Sequence, residues 1–406
     1  MKNVTGLVCK ECGRQQPIAP QHVCEFCFGP LEVSYDTEQI AATVTREEIS
    51  RGPLSMWRYE DFLPAPAERV DIGAGFTRLV EAPRLAAELG LKRLWIKSDA
   101  PNPTHSFKDR VVSVALSMAR HFGYSVAACA STGNLANAVA AHAAAAGMDS
   151  VVFIPHDLER GKIAATTVYG GEVVGVEGSY DDVNRLCAEL TAIKPWAFVN
   201  VNVRPYYSEG SKTLAFEVAE QLGWRAPDAV VVPIASGSLL TKVAKGFREF
   251  RDAGLIESSD VKICGAQAQG CSPVATAFAE GAEDVRPVKP STIAKSLAIG
   301  DPADGYYALK EVRSSGGAIA SVPEADVAAG ISLLARTEGI FTETAGGVTV
   351  SALERLVADG SITASDETVI FITGIGLKTL EALGPVAPTR TIKPNVDEVN
   401  RALGGV

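Results

Sequence analysis

The chain reads as an α/β protein with two open, mostly parallel sheets, preceded by a four-cysteine ribbon. Three features predict this. From residue 90 onward, apolar runs rich in Val and Ile (LWIKS, SVAACA, SVVFIP, GEVVGV, WAFVNV, AVVVPI, KICGAQ and TVIFIT) alternate with segments of helical spacing such as GNLANAVAAHAAAAG and LAFEVAEQLG. Strands apolar on both faces and separated by helices form parallel sheets covered on both sides. Cys9, Cys12, Cys24 and Cys27 crowd into the N-terminus as two Cys-x-x-Cys pairs separated by 11 residues, the spacing of a four-thiolate structural zinc site. Finally, 406 residues suit two or three domains, and 47% hydrophobic with 21% charged residues is a globular balance.

Charge and hydropathy exclude several classes. A net charge of -10 provides no general field for nucleic acid or an anionic membrane, so any bound anion needs a local site. A small anionic substrate remains compatible. No run approaches the ~20 apolar residues of a membrane span, and the alanines near 138–146 are interrupted by His142. MKNVTGLVCK lacks the apolar core of a signal peptide. The expected location is cytoplasmic, where disulfides are not expected. Cys129, Cys187, Cys264 and Cys271 are scattered in apolar or helical surroundings and read as core filling.

Along the chain, residues 1–36 read as a small separate unit, with LEVSYD alternating as a strand. Residues 37–75 form a connector containing Pro53, Pro64 and Pro66 and a short helix near 46–51. No internal repeat is present. In parallel α/β sheets ligands bind beyond the carboxyl ends of the strands, so chemistry is sought in the strand-to-helix turns.

Four turns stand out. Lys108 lies in PNPTHSFKDR at a helix start. Alone, such a lysine is a solvated surface group, but beside Phe107 it also suits a partly desolvated, reactive amine. Asp109 and Arg110 read as structural partners that orient the turn. Ser131, Thr132, Gly133 and Asn134 cluster where an alanine-rich helix begins, a setting that favours an anion; Asn134 has two roles open, helix cap or donor to a ring hydroxyl. Ala235, Ser236, Gly237, Ser238 and Leu239 form a small-residue turn suited to cradling phosphate, and it matches neither a Walker A nor a dinucleotide-binding glycine motif. Thr373 ends the last strong strand, where its hydroxyl either terminates the strand or meets a pyridine nitrogen without protonating it.

Taken in order, HSFKDR, STGNLAN, RPYYSEGSKTLAFEVAEQLG, SGSLLTKVAKGF, TIAKSLAIGDPADG, EGIFTETAGGV and TGIGLKT resemble the fold type II pyridoxal-phosphate enzymes, and within them the threonine synthase family. The resemblance covers nearly the whole chain, and the cysteine ribbon followed by LEVSYD is similar to one that some of its members carry. It implies that Lys108 holds pyridoxal phosphate as a Schiff base, Asn134 contacts the ring hydroxyl, the turn from Ala235 to Leu239 takes the cofactor phosphate and Thr373 faces the ring nitrogen. It further implies conversion of O-phosphohomoserine and water to L-threonine and phosphate, with Lys108 as the base that moves protons at Cα, Cβ and Cγ. Ala235 stands where the family often has glycine. An arginine expected near Tyr207 is absent, which leaves Arg204 as the candidate phosphate clamp, with Lys212, Thr132 and Ser131 as further substrate-binding candidates.

The division expected from this resemblance is a ribbon at 1–36, a large cofactor-binding domain from 37–95 and 201–385, a smaller α/β domain at 96–200, and a tail at 386–406. A homodimer and a structural zinc on Cys9, Cys12, Cys24 and Cys27 are expected, with His22 surplus. Two rivals stay open: the same fold and cofactor acting on phosphoserine, serine or threonine, as in cysteate synthases or dehydratases, and a non-catalytic ribbon scaffold or regulator.

Overall fold

The structure is a computed structural model that describes residues 1–131, 133–158 and 160–403. The chain opens with a small antiparallel sheet, β1 (Val4–Cys9), β2 (Gln15–Gln16) and β3 (Leu31–Tyr35), with β1 in the middle. Alternation in LEVSY turns Leu31 and Val33 inward. The ribbon is not a separate unit, however. Leu7, Cys9, Cys24, Leu31 and Val33 share one core with Trp57, with the helix α1 (Lys108–His121) and with the smaller sheet. Three short strands enclose too little apolar surface to stand alone. In the connector, the helix expected near 46–51 is present as Arg46–Ser50, started by a capping box between Thr45 and Glu48.

After β4 (Leu79–Glu81) and β5 (Arg93–Ser98), the chain leaves for a four-stranded sheet of β6 (Val126–Ala130), β7 (Asp149–Pro155), β8 (Glu172–Val176) and β9 (Ala197–Phe198), ordered β8-β7-β6-β9 and wholly parallel. It returns with β10 (Ala229–Pro233), β11 (Lys262–Ala268), β12 (Ile319–Val322) and β13 (Glu367–Ile372). These complete a six-stranded sheet ordered β12-β11-β10-β13-β5-β4, parallel except for β4. The expectation of two mostly parallel sheets and a ribbon holds. Neither β4 nor β12 is among the apolar runs of the sequence; both are short edge strands only partly buried, where alternation is weak. The boundary expected at residue 95 falls inside β5, which pairs with β13 as far as Ser98 opposite Ile372.

Helix α1 is the hub between the two bodies. Its residues from Asp109 to Ala119 are all buried. The charges at its start are neutralised within the protein. Asp109 accepts from the Thr104 backbone N–H (2.8 Å) and hydroxyl (2.9 Å) and bonds His142 Nε2 (3.1 Å). Arg110 donates to Asp99 through Nε (2.6 Å) and Nη2 (2.8 Å), and to Glu217, which also takes Lys97 Nζ at 2.7 Å. Burial alone would raise the Glu217 carboxyl, but Arg110 and Lys97 hold it at about 2. The tail departs from this pattern: residues 384–397 are exposed, and the helix Val396–Leu403 buries no residue. Among the described residues no helix is long and apolar enough to cross a membrane.

Removing one partner of a buried ion pair leaves the other charge uncompensated, so Glu217→Gln lowers the unfolding free energy by about 3 kcal/mol at neutral pH, read by urea denaturation. Because the folded-state pKa of Glu217 is depressed, its contribution is present above about pH 4.3, the unfolded value, and is lost as pH falls toward 2, so the gap between the two proteins closes on acidification.

Candidate active site

The turns singled out in the sequence meet at one place. The carboxyl ends of β6, β10 and β13 open on a cavity of about 160 Å³ lined by Lys108, Ser131, Asn134, Arg204, Ala235, Ser236, Gly237, Ser238, Leu239 and Thr373, among others. This is where ligands of open α/β sheets lie. Thr132 falls outside the described residues.

Lys108 begins α1, reached through an irregular loop that backbone bonds tie to the end of β13: Phe107 N–H donates to Thr373 O (2.9 Å) and Ile375 N–H to His105 O (3.1 Å). Its Nζ donates to the Tyr207 hydroxyl at 2.9 Å and lies 4.4 Å from the centre of the Phe107 ring. Burial lowers the Lys108 amine to about 8 while the Glu343 carboxylate pulls the other way. Burial pushes the Tyr207 hydroxyl up, so it stays protonated.

Opposite, the turn at 235–239 leads into helix α2 (Ser238–Asp252), with Gly237 at its N-cap in the left-handed region (φ 93°). A Cβ at Gly237 would stand 2.6 Å from Asp304 O, and Asp304 N–H donates to Ser236 O at 2.8 Å. Only glycine fits this crossing. The first N–H groups of a helix have no intrahelical partner, so the turn offers donors to an anion.

The Asn134 side chain is engaged within the protein. Gly133 takes the cap position and Asn134 is the first residue of the alanine-rich helix, so the capping role does not apply. Instead its amide nitrogen donates to both Glu343 oxygens (2.9 Å each), and its oxygen accepts from Lys378 Nζ at 3.0 Å. Ser131 serves the helix start, its Oγ accepting from Gly133 N–H (3.0 Å) and Ala136 N–H (2.8 Å). Arg204 lines the cavity, but its Nη2 pairs with Asp304 at 2.6 Å, which offsets the charge it would offer an anion. Lys212 is not among the lining residues. Its ammonium is fully buried on Phe62 O (2.8 Å), Glu209 (2.6 Å) and Glu249 (2.9 Å), so it is spent on structure rather than on substrate.

The residues missed in the sequence are the acidic and hydroxyl groups around this core. Glu343 and Ser296 line the cavity, and the buried Ser296 hydroxyl has no hydrogen-bond partner among the described residues. Glu343 opens the small-residue helix α3 (Thr344–Ala358), and a carboxylate just ahead of TAGGV was the available signal. Lys378 had none beyond its place in the GLK that follows Thr373 and Gly374.

The ribbon cysteines form a second site. Their four sulfurs lie within 4.8 Å of one another, with Cys9 to Cys27 at 3.4 Å and Cys12 to Cys24 at 3.8 Å. Cys24 Sγ also accepts from Gln16 Nε2 (3.0 Å) and Phe26 N–H (3.4 Å). A tetrahedral zinc with bonds of about 2.3 Å spaces its sulfurs by about 3.8 Å, so the donor set fits.

Comparison with known proteins agrees with this geometry. The family model described as pyridoxal-phosphate dependent enzyme matches residues 70–374. Among curated proteins, threonine synthase of Methanocaldococcus jannaschii is 37% identical over 92% of this chain and 93% of its own length, and that of Methanosarcina acetivorans 36% identical over 98% of each. Among solved structures, the fold is shared with an L-serine ammonia-lyase from Rhizomucor miehei (TM-score 0.66, 20% identity, 78% of this chain and 98% of that one). It is also shared with a threonine deaminase from Solanum lycopersicum (TM-score 0.63, 21% identity, 86% and 88%). With a buried lysine, a glycine-built helix start and a late threonine around one cavity, and with relatives this similar over their full length, the chain belongs to the pyridoxal-phosphate dependent enzymes, in the threonine synthase family.

Proposed function

We propose that the chain converts O-phosphohomoserine and water to L-threonine and phosphate at the cavity around Lys108. The observation that carries this is a buried amine across one cavity from a helix start that only glycine can form, in a chain with threonine synthase relatives. Pyridoxal phosphate, when bound, supplies the electron sink that makes the substrate's Cα proton removable. In this reading Lys108 anchors the cofactor, the turn from Ala235 to Leu239 holds its phosphate with backbone N–H groups, and Thr373 faces the ring nitrogen as a neutral partner.

Lys108 is then the base. With the cofactor and substrate bound, a free Lys108 Nζ would take the proton from Cα, remove one from Cβ as phosphate leaves Cγ, and return protons at Cγ and Cα as water adds at Cβ. An amine held at about 8 keeps a usable neutral fraction near neutral pH. The Tyr207 hydroxyl, 2.9 Å from Nζ, steadies the amine between transfers. Arg204, the guanidinium that lines the cavity, is the candidate clamp for the substrate phosphate, and using it requires Asp304 to share or release it. The Ser296 hydroxyl, which has no hydrogen-bond partner among the described residues, is a second donor for that phosphate. The ribbon holds a structural zinc on Cys9, Cys12, Cys24 and Cys27, with all four positions filled by thiolate and none open for catalysis. A homodimer completes the reading.

Product identification with O-phosphohomoserine and O-phosphoserine tests the reaction: phosphate released with threonine from the first supports it, and turnover of the second alone overturns it. In the cofactor-free protein, amine-directed labelling of Lys108 rises through about pH 8 rather than the ordinary lysine range, measured by peptide mass spectrometry against an exposed lysine as internal standard. Gly237→Ala displaces the turn from Asp304 and weakens pyridoxal phosphate binding by at least about tenfold, read by equilibrium dialysis with circular dichroism to separate loss of the site from loss of the fold, since the left-handed turn and the approach to Asp304 both exclude a side chain. Metal analysis finds one zinc per chain in the native protein and none in Cys12→Ser/Cys24→Ser.

A further inference from the structure

Lys378 is buried and the proposed mechanism gives it no role. It ends the short 3-10 turn Gly376–Lys378 that follows β13, and its Nζ donates to Thr104 O in the lysine loop and to Asn134 Oδ1 at 3.0 Å. It therefore bridges the turn that carries Lys108, the turn that carries Asn134 and the turn that carries Thr373. On the other side of Asn134, both Glu343 oxygens lie 2.9 Å from Nδ2. Glu343 is itself fixed: its backbone N–H donates to Gly374 O at 3.2 Å, and a Cβ at Gly374 would collide with its carboxylate.

This arrangement settles which way the Asn134 amide points. A primary amide presents an acceptor on one side and a donor on the other, and the two are close to isosteric. An ammonium only donates, so the side facing Lys378 must be the oxygen. A carboxylate only accepts, so the side facing Glu343 must be the nitrogen. One amide hydrogen shared between the two Glu343 oxygens keeps the nitrogen there and leaves the other hydrogen for a further oxygen in the cavity.

We propose that Lys378 is a positioning residue for the cofactor: by taking the Asn134 carbonyl it forces the amide nitrogen toward Glu343 and the cavity, so that the ring's 3-oxygen meets a donor. This rests on the reading of Asn134 as the ring's partner. Without Lys378 only Glu343 holds the amide, at its nitrogen, and the group swings about that contact so that its second hydrogen no longer lines up with the ring oxygen.

The test uses the pyridoxal-phosphate-loaded protein and four variants: Lys378→Met, which removes charge and donor; Lys378→Gln, which removes the charge but keeps an N–H; Asn134→Ala; and Lys378→Met/Asn134→Ala. Cofactor dissociation constants and the visible absorbance spectrum are read for each. Lys378→Met is expected to bind the cofactor about tenfold more weakly with an altered spectrum, as loss of one charge-assisted hydrogen bond implies. Lys378→Gln is expected to restore most of both, and Lys378→Met to add nothing to Asn134→Ala. Equal impairment of the Met and Gln variants, an unchanged Lys378→Met, or additive losses in the double variant would each overturn the proposal. An Asn134→Ala variant with unchanged affinity and spectrum would instead remove Asn134 as the ring's partner, and the proposal with it. Should Lys378→Met not fold, a crystal structure of the loaded wild-type protein decides: Asn134 bonded to both Lys378 and the ring oxygen supports the proposal, and Lys378 withdrawn from Asn134 sinks it.

Discussion

The position of Lys108 depends on the buried bonds of Arg110, two residues along the same helix. The loop before α1 is irregular, and proline and turn residues give it no ladder of its own. Arg110 compensates by donating to Asp99 at the end of β5 and to Glu217 on the helix Thr213–Gln221, while Asp109 gathers Thr104 and His142. Lys97 completes the charge balance around Glu217. Charges taken out of water this far are tolerable only when every one is paired and hydrogen-bonded, and a network that meets this condition admits one geometry. The start of α1 is thereby fixed to the large sheet although most of the helix packs against the smaller one.

A second buried network extends that rigidity to the turn at 235–239. Glu209 accepts from Tyr35 (2.7 Å) and pairs with Lys212 and Lys242, and Glu32 pairs with Lys242 and Lys245. This joins β3 of the ribbon to α2, the helix whose start lines the cavity. At the cavity edge, Lys10, between the first two cysteines, lies 4.0 Å from Asp304 and 3.4 Å from the centre of the Tyr307 ring. Asp304 in turn touches Gly237 and pairs with Arg204. The ribbon is thus part of the wall behind the site, which explains why its apolar residues merge with the main core.

Around the cavity itself, opposite charges are held apart by a neutral amide. Glu343 lowers the electrostatic cost of an ammonium at either Lys108 or Lys378, while burial works against both, so each amine settles at about 8.

The sequence by itself determined the parallel α/β class, the ribbon, and the four turns, because each is a local pattern: apolar runs of strand length, paired cysteines, small residues where a strand meets a helix. Lys108, Asn134, Gly237 and Thr373 were legible for that reason. Only the tertiary structure decided what surrounds them. Lys212 and Arg204 look alike in sequence as cations for phosphate, yet one is sealed against Glu209 and Glu249 and the other reaches the cavity beside Asp304. Glu343 and Lys378 join Asn134 from positions 209 and 244 residues away, and no spacing rule encodes such a meeting. Strand pairing brings them together: inserting β13 between β10 and β5 sets its final turn against the Lys108 loop, where Lys378 and Glu343 meet Asn134 from opposite sides.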